Sequence, residues 1–240
     1  MKVYVINLRK NEGRMKRLAD RLSRLGIDYV RIEAIYGKEL SLKDKKDKVN
    51  HFRWWCTKGY KIRDGEIGCT LSHNLIYEIM VKEGVWAACI LEDDAVLDDH
   101  FPFQLQNVER FLRSRGKESI VVQLANHSGT KALDWEIKKI EDTSYAEAYA
   151  INLAAAKHYL SANSPICAPV DMWGYWQKKG IFSLYQAYPG VCEQDWTPGF
   201  VSDVCPVNAF DAKKLPIIKR LAWKIKRAIG FAIDRIFFHA

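Results

Sequence analysis

Three consecutive acidic residues, Glu92, Asp93 and Asp94, follow directly on the apolar run 86–91. A short apolar run bounded by a glycine and by charges is typical of a buried strand in a mostly parallel sheet. Open α/β sheets bind ligands at the carboxyl ends of such strands. Neighbouring carboxylates repel one another, so a bound cation would explain why they are gathered here. The alternative is an acidic helix N-terminus, which the helix dipole would stabilise.

A second acidic centre is Asp171, which stands among Trp173, Tyr175 and Trp176. In carbohydrate sites, aromatic rings commonly stack on the apolar faces of sugars while carboxylates bind the hydroxyl groups. The pattern therefore suits the site of a sugar acceptor. Aromatic side chains are also ordinary core material, and for these three rings alone core packing is the simpler interpretation.

The elements that would position these acids begin with a strand, a helix and a second strand. Residues 3–8 predict the first strand, leucines at helical spacing over 18–25 predict the helix, and residues 29–32 predict the second strand. This order is the opening of a parallel, Rossmann-like sheet. The opening lacks G-x-G-x-x-G, so the standard dinucleotide fingerprint is missing.

Further segments continue the α/β pattern. Residues 38–61 are charged and aromatic without a clear period, which predicts a long surface loop. Residues 65–73 should precede a helix that ends at Gly84, and Gly65 and Gly68 would let the backbone approach another segment closely. The remaining predictions are a helix near 103–113, a strand at 120–124, and a strand that passes into an alanine-rich helix at 149–160.

Composition predicts a folded protein, because nearly half of the 240 residues are apolar and 28% are charged. No run of about 18 apolar residues is present, so we expect no transmembrane helix. The six cysteines include no Cys-x-x-Cys pair. Their pattern argues against a zinc site and favours free thiols in a reducing cytoplasm.

The net charge of +8 is concentrated in residues 211–240, where eight basic residues stand against two acidic ones. Apolar residues recur there at helical spacing, while Lys219, Lys226 and Arg227 fall largely off the apolar stripe. A basic amphipathic helix of this kind suits an anionic membrane surface. The alternative is a helix docked on the rest of the chain. Residues 1–210 are nearly neutral, which argues against a nucleic-acid partner.

Several segments together resemble glycosyltransferase family 25, the bacterial lipooligosaccharide galactosyltransferases. The resemblance runs from the first strand to about residue 205. It is specific because the glycine-rich and acidic segments occur in tandem and in the family's order. The segments that carry it are Val-Ile-Asn-Leu at 5–8 with Arg14 and Arg17, Gly-Glu-Ile-Gly-Cys-Thr-Leu-Ser-His at 65–73, Ile-Leu-Glu-Asp-Asp-Ala at 90–95, Tyr149 with its alanine-rich helix, and Pro-Val-Asp-Met at 169–172.

The resemblance implies a GT-A-like domain over residues 1–210, with a Rossmann-type, mostly parallel sheet flanked by helices, followed by a basic amphipathic, membrane-associating segment at 211–240. It implies inverting, metal-dependent transfer of galactose from UDP-galactose to a lipooligosaccharide or lipopolysaccharide core, with a β-1,4 linkage. The enzyme would act on a lipid-linked oligosaccharide at the cytoplasmic face of the bacterial inner membrane. The alternatives are another UDP-sugar donor, or a noncatalytic basic module that binds lipid or nucleic acid.

The resemblance also implies roles for single residues. The acids at 92–94 correspond to the family's Asp-x-Asp-type motif, in which Asp94, with Asp93, would bind Mn²⁺ or Mg²⁺ at the donor diphosphate. A hard cation with oxygen ligands stabilises the charge of the departing UDP. The remaining donor contacts would come from Asn7, Leu8, Arg14, His73, Glu92 and Asp93, although Arg14 could equally be a solvated helix residue and His73 a structural one.

Inverting transfer needs a base that takes the proton of the acceptor hydroxyl as this group attacks the anomeric carbon. We assign Asp171 as this base and Trp173 as the platform for the acceptor sugar. Glu193, Asp195 and Asp203 stay open as alternative bases.

Overall fold

The computed structural model describes residues 1–125, 134–195 and 217–237. A short 3₁₀ turn, Gly37–Glu39, lies between the second strand and the second helix. The elements follow in the order β1 (Lys2–Asn7), α1 (Glu12–Arg24), β2 (Val30–Glu33), α2 (Leu42–Lys48), α3 (His51–Lys58), α4 (Asp64–Glu83), β3 (Ala87–Glu92), β4 (Ala95–Leu97), α5 (Phe101–Ser114), β5 (Ile120–Gln123), β6 (Glu136–Lys139), β7 (Ala148–Asn152), α6 (Leu153–Ala162), α7 (Trp173–Lys178), β8 (Ser183–Tyr188), β9 (Cys192–Gln194) and α8 (Ile217–Phe237).

Seven strands form one sheet in the order β2-β1-β3-β7-β5-β8-β6. β1 pairs in parallel with both β2 and β3, as the predicted Rossmann-like opening requires. β7 runs antiparallel to β3 and to β5, and β6 runs antiparallel to β8. The other five strands share one direction, so the predicted mostly parallel α/β sheet is confirmed.

The central strands are buried on both faces, because their alternate residues enter two apolar layers. In β1 and β3, Val5 and Leu91 pack in the layer that contains α1 and α5. Their neighbours Ile6 and Ile90 face the layer that contains α4, α6 and α7. A strand covered on both faces needs apolar residues at every position, which explains the unbroken apolar run before the acids.

Residues 38–61 contain the helices α2 and α3, so the long surface loop predicted there is wrong. Both helices begin with a side-chain cap, since Ser41 accepts from Asp44 N at 3.0 Å and Asn50 accepts from Arg53 N at 2.9 Å. The two helices have seven and eight residues. Such short helices show too few turns for a clear apolar period, and the burial of Trp54 depends on distant parts of the chain.

The segment 65–73 lies within α4 rather than before it. A Cβ atom at Gly68 would lie 2.4 Å from the carbonyl oxygen of Ile35 and 2.7 Å from the amide nitrogen of Gly37. The first turns of α4 therefore press directly on the backbone of the chain after β2, and the close approach predicted at Gly68 is confirmed.

The five cysteines within the described ranges are free: Cys56, Cys69, Cys89, Cys167 and Cys192.

α8 packs on α3. None of the helices in the described ranges combines the length and the apolar content that crossing a membrane requires.

We expect Gly68→Ala to destabilise the protein by about 1–3 kcal/mol, because the added methyl group collides with backbone atoms that cannot rotate away. Urea unfolding measures this change. Gly13→Ala in α1 is the matched control, since a Cβ atom there has no neighbour within 4 Å. Its stability should equal or slightly exceed that of the wild type. Equal unfolding free energies for Gly68→Ala and the wild type would contradict the close packing.

Candidate functional site

A cavity of about 570 Å³ opens where β1 and β3 end. Its volume lies within the range of small-molecule sites. The cavity walls come from the end of β1, the start of α1, the chain at 34–37, the first half of α4 and the acids after β3. It is lined by all of the residues predicted to bind donor or metal, and by the predicted base, namely Asn7, Leu8, Arg14, His73, Glu92, Asp93, Asp94 and Asp171.

The three acids stand at the end of a strand and not at the start of a helix. Glu92 is the last residue of β3, and Asp93 and Asp94 form the turn that leads into β4. β4 pairs with β9, and Asp195 N donates to the backbone oxygen of Asp94 at 2.9 Å. The alternative of an acidic helix N-terminus is therefore wrong.

Asp93 is held by two of the predicted donor-binding residues. Asn7 Nδ2 donates to Asp93 Oδ2 at 2.7 Å, and Arg14 Nη1 lies 3.3 Å from Asp93 Oδ1. Arg31 in turn donates to Asn7 Oδ1 at 2.7 Å. Burial raises the pKa of Asp93, while the contacts with Asn7 and Arg14 oppose that rise. Both carboxylate oxygens of Asp93 thus have protein partners.

Asp94 offers an oxygen that fits a cation. Its side chain is 8% exposed, and Oδ2 accepts from Gln194 Nε2 at 2.8 Å. Within the described ranges Oδ1 is buried and has no hydrogen-bond partner. Burial, followed by the charge of Glu92, raises the pKa of Asp94 to about 7. A buried carboxylate oxygen without a partner costs free energy, and a hard divalent cation would remove that cost.

Glu92 is oriented by a chain of hydrogen bonds that starts in the core. Its Oε1 lies 3.0 Å from His73 Nε2, and His73 Nδ1 lies 2.7 Å from the hydroxyl of Tyr149. That hydroxyl contacts the hydroxyl of Tyr77 at 2.5 Å. The two ring nitrogens of His73 thus bridge the hydroxyl of Tyr149 and the carboxylate of Glu92. His73 therefore positions Glu92 in the cavity wall.

Cys69, His73 and Glu92 form a second group of possible metal ligands, whose donor atoms lie within 4.8 Å of one another. Sulfur and nitrogen donors suit zinc rather than Mn²⁺ or Mg²⁺. Burial raises the pKa of the Cys69 thiol well above its ordinary value, which keeps the sulfur protonated. His73 and Glu92 are also hydrogen-bonded to each other. The oxygen of Asp94 is therefore better suited to a cation than this group of three residues.

Glu147 is a further carboxyl group in the cavity wall that the sequence analysis missed. Its side chain is 1% exposed, and its backbone oxygen accepts from Glu92 N at 2.9 Å. Burial raises the pKa of Glu147 to about 8, and the charges of Glu92 and Asp94 add to this rise. The signal in the sequence is an acid directly before an apolar strand. Only the antiparallel direction of β7 places that acid beside the end of β3.

Asp171 lines the same cavity, together with Lys58 at the end of α3. Burial raises the pKa of Asp171, and the positive charge of Lys58 opposes that rise. Lys58 was missed because its segment was predicted to be a loop. Of the alternative bases, Glu193 is exposed on β9 and Asp195 forms a 2.8 Å ion pair with Arg17, and neither lines the cavity. Asp203 lies outside the described residues.

Trp173, predicted as the platform for an acceptor sugar, does not line the cavity. Its side chain is fully buried, and its indole N–H donates to the backbone oxygen of Tyr145 at 2.6 Å. Its ring packs edge-on against Tyr149, with the centroids 4.8 Å apart. No face of the Trp173 ring is left for a sugar. Trp173 is a core residue, which is the alternative interpretation of the sequence. The aromatic rings that do line the cavity belong to Tyr36, Tyr60 and Tyr145.

These features define an α/β protein with a cavity at the carboxyl edge of its sheet and a carboxylate oxygen there that is suited to a divalent cation. The family described as "Glycosyltransferase family 25 (LPS biosynthesis protein)" matches residues 1–173. The chain belongs to glycosyltransferase family 25.

Curated relatives of the chain include animal and bacterial proteins. "Procollagen galactosyltransferase 1-A" of Xenopus laevis is 27% identical over 192 residues, which are 70% of this chain and 30% of that protein. A "Glycosyltransferase 25 family member" of Anopheles gambiae is 29% identical over 66% of this chain and 28% of its own length. The chain thus spans less than a third of these relatives. A Haemophilus influenzae protein, provisionally named a glycosyltransferase, is 23% identical over 80% of this chain and 70% of its own length.

We expect the metal-free protein to lose stability as the pH rises from about 4.5 to 8. The folded-state pKa of Glu147, about 8, lies above the ordinary value of 4.5 for this group. Between these values the folded state binds a proton that the unfolded state does not, so the free energy of unfolding falls as the pH rises. Urea unfolding in the presence of a chelator measures the slope.

Glu147→Gln should reduce this slope, since the amide does not ionise, and the raised pKa of Asp94, about 7, should keep part of the slope below pH 7. Glu193→Gln, whose side chain is exposed to water, is the matched control and should keep the slope of the wild type. A wild-type slope in Glu147→Gln would contradict the raised pKa.

Proposed function

We propose that this protein is an inverting, metal-dependent galactosyltransferase that uses UDP-galactose as its donor. The observation that carries the proposal is the buried Asp94 oxygen without a partner among the described residues, inside a cavity of about 570 Å³. Family membership supports glycosyl transfer as the reaction class. The choice of galactose is supported by the name of the Xenopus laevis relative.

Asp94 would hold the cation, with Gln194 orienting the second carboxylate oxygen. When bound, Mn²⁺ or Mg²⁺ supplies Lewis-acid stabilisation of the negative charge on the departing diphosphate. Asp93 is a poorer first ligand than Asp94, because Asn7 and Arg14 already occupy its oxygens. Glu92, oriented by His73, would contact the ribose of the donor or a water bound to the cation.

Three basic side chains in the cavity wall would contact the negatively charged donor. Arg14, Lys58 and Arg63 line the cavity together with the acids. In a partly desolvated cavity these cations stabilise a diphosphate more strongly than they would in water. The noncatalytic alternative, in which the chain only binds lipid or nucleic acid through its basic end, gives no reason for carboxyl groups buried in a cavity.

Asp171 is the base in the proposed reaction. The acceptor hydroxyl oxygen bonds to the anomeric carbon while the bond from that carbon to the UDP oxygen breaks, and the bonding electrons leave with UDP. Asp171 takes the hydroxyl proton, so proton and charge balance. A carboxylate whose pKa is raised by burial is a stronger base, and the nearby charge of Lys58 favours its ionised form.

The acceptor in this proposal is a sugar of a lipid-linked lipooligosaccharide or lipopolysaccharide core, to which galactose is joined by a β-1,4 linkage at the cytoplasmic face of the bacterial inner membrane. The family description, which refers to lipopolysaccharide biosynthesis, supports this acceptor class. Tyr36, Tyr60 and Tyr145, whose rings line the cavity, are the residues that would contact the acceptor sugar. UDP-glucose and UDP-N-acetylglucosamine are the alternative donors.

Asp94→Asn should abolish the Mn²⁺-dependent rise in Tm that UDP produces, because the cation loses its anionic ligand. Turnover should fall at least about 100-fold. Asp99→Asn is the control, since Asp99 is exposed beyond the cavity and should behave as the wild type. If Asp94→Asn keeps the Mn²⁺-dependent shift, Asp94 does not hold the metal.

Asp171→Asn should lower turnover by about 10²–10⁴-fold and leave Mn²⁺-dependent UDP binding unchanged. Near-normal turnover in this variant would remove Asp171 from the role of base. Incubation of the wild type with a panel of UDP-sugars, followed by NMR of the product, identifies the donor and linkage. A product that retains the anomeric configuration of the donor would contradict the single displacement.

A further inference from the structure

Asp234, the only acidic residue of α8, forms ion pairs and hydrogen bonds with the rest of the protein. This side chain is 1% exposed, and its oxygens bind three groups. Arg53 Nε on α3 donates to Oδ1 at 2.8 Å, the Tyr175 hydroxyl on α7 donates to Oδ2 at 2.8 Å, and Lys179 Nζ lies 2.7 Å from Oδ2. Two cations thus neutralise the single negative charge of α8 where the helix meets the protein.

Neighbouring residues extend this contact along one side of the helix. A Cβ atom at Gly230 would lie 2.3 Å from the backbone oxygen of Cys56, so α8 and α3 approach closely there. The Phe231 ring centroid lies 6.2 Å from that of Tyr175, and Lys226 Nζ lies 4.7 Å from the ring centroid of Trp55. We call residues 230, 231 and 234 the docked face of α8.

The opposite side of α8 carries four large apolar side chains that are exposed to solvent. Leu221 is 59% exposed, Ile225 53%, Ile229 54% and Ile236 71%. These positions, with the exposed Ala222, Ala228 and Ala232, share one side of a helix with 100° per residue, and we call them the outer face. The amphipathic helix is therefore docked through the side that carries Asp234, and these apolar residues are turned outward.

Basic residues border the outer face on both sides. Lys224 and Lys226, both exposed, immediately precede and follow Ile225 in sequence, so each lies about 100° around the helix from it. Asp234, the one acid of α8, is buried in the docked face. The outer side of α8 consequently combines exposed apolar side chains with positive charge and bears no carboxylate.

We propose that the outer face of α8 lies in the interface of an anionic lipid bilayer, with the helix axis parallel to the membrane plane. The apolar side chains would enter the acyl boundary, and Lys224 and Lys226 would contact the anionic headgroups. A second copy of this chain is the weaker candidate for the same face, because two such faces would bring their basic borders together.

Membrane binding through the outer face would also orient the cavity relative to the lipid surface. α8 packs on α3, and the last residue of α3, Lys58, lines the cavity wall. Docking of the outer face therefore holds the cavity at a set angle to the lipid surface, where a lipid-linked acceptor is anchored. This orienting role rests on the proposed function, whereas binding to lipid does not.

Cosedimentation of the full chain with vesicles tests the binding itself. The wild type should bind vesicles that contain phosphatidylglycerol, bind phosphatidylcholine vesicles far more weakly, and dissociate as salt rises. The triple variant Leu221→Ser, Ile225→Ser, Ile229→Ser should bind the anionic vesicles at least about tenfold more weakly. The matched control is Val30→Ser, Leu42→Ser, Val96→Ser, which removes exposed apolar side chains elsewhere and should bind as the wild type does.

Two outcomes would overturn the proposal. One is equal binding of the outer-face variant and the wild type to anionic vesicles. The other is a wild-type dimer in analytical ultracentrifugation that the outer-face variant loses, which would assign the face to a second copy. Unchanged thermal unfolding of the variant shows that its fold is intact, because the substituted side chains are exposed.

Activity separates this inference from the proposed function. The outer-face variant should transfer sugar to a soluble acceptor at the wild-type rate and lose rate only when the acceptor is embedded in anionic vesicles. Wild-type protein that binds vesicles but transfers no sugar to either acceptor would refute the proposed function. The same result would still support membrane binding through the outer face.

Discussion

Burial of several carboxyl groups beside the end of β3 is the constraint on which the rest of the site depends. Desolvation raises the pKa of Asp94 to about 7 and that of Glu147 to about 8, so negative charge is costly in this cavity. The protein separates and supports its acids with individual partners: Asn7 and Arg14 for Asp93, His73 for Glu92, and Gln194 for Asp94. One oxygen of Asp94 is left for a cation, and the proposed chemistry starts there.

The antiparallel strand β7 supplies much of this arrangement. Because β7 runs against β3, its amino end meets the carboxyl end of β3, and Glu147 enters the cavity wall. The same strand carries Tyr149, whose hydroxyl contacts His73 Nδ1. One reversed strand in a mostly parallel sheet thus adds a carboxyl group to the site and orients another through a histidine.

α3 contacts both the cavity wall and α8. Its last residue, Lys58, lies in the cavity wall beside Asp171, whereas Arg53 and Trp55 contact α8. The ion pairs of Asp234 place the only acid of α8 between protein elements, which leaves the apolar residues of the outer face turned outward. A helix that the sequence did not predict therefore joins the cavity to the surface that we propose for lipid.

The sequence by itself determined the β1–α1–β2 opening, the buried strand that ends at Glu92, and the acids at the carboxyl edge of the sheet. These features follow from the local spacing of apolar and charged residues, which is the same whatever the rest of the chain does. Only the tertiary structure decided the direction of β7, the burial of Trp173 and the side of α8 that faces outward. Strand periodicity is identical in both directions, and an aromatic or amphipathic pattern does not identify its packing partner. Those outcomes depend on contacts between residues far apart in sequence, so local patterns could not predict them.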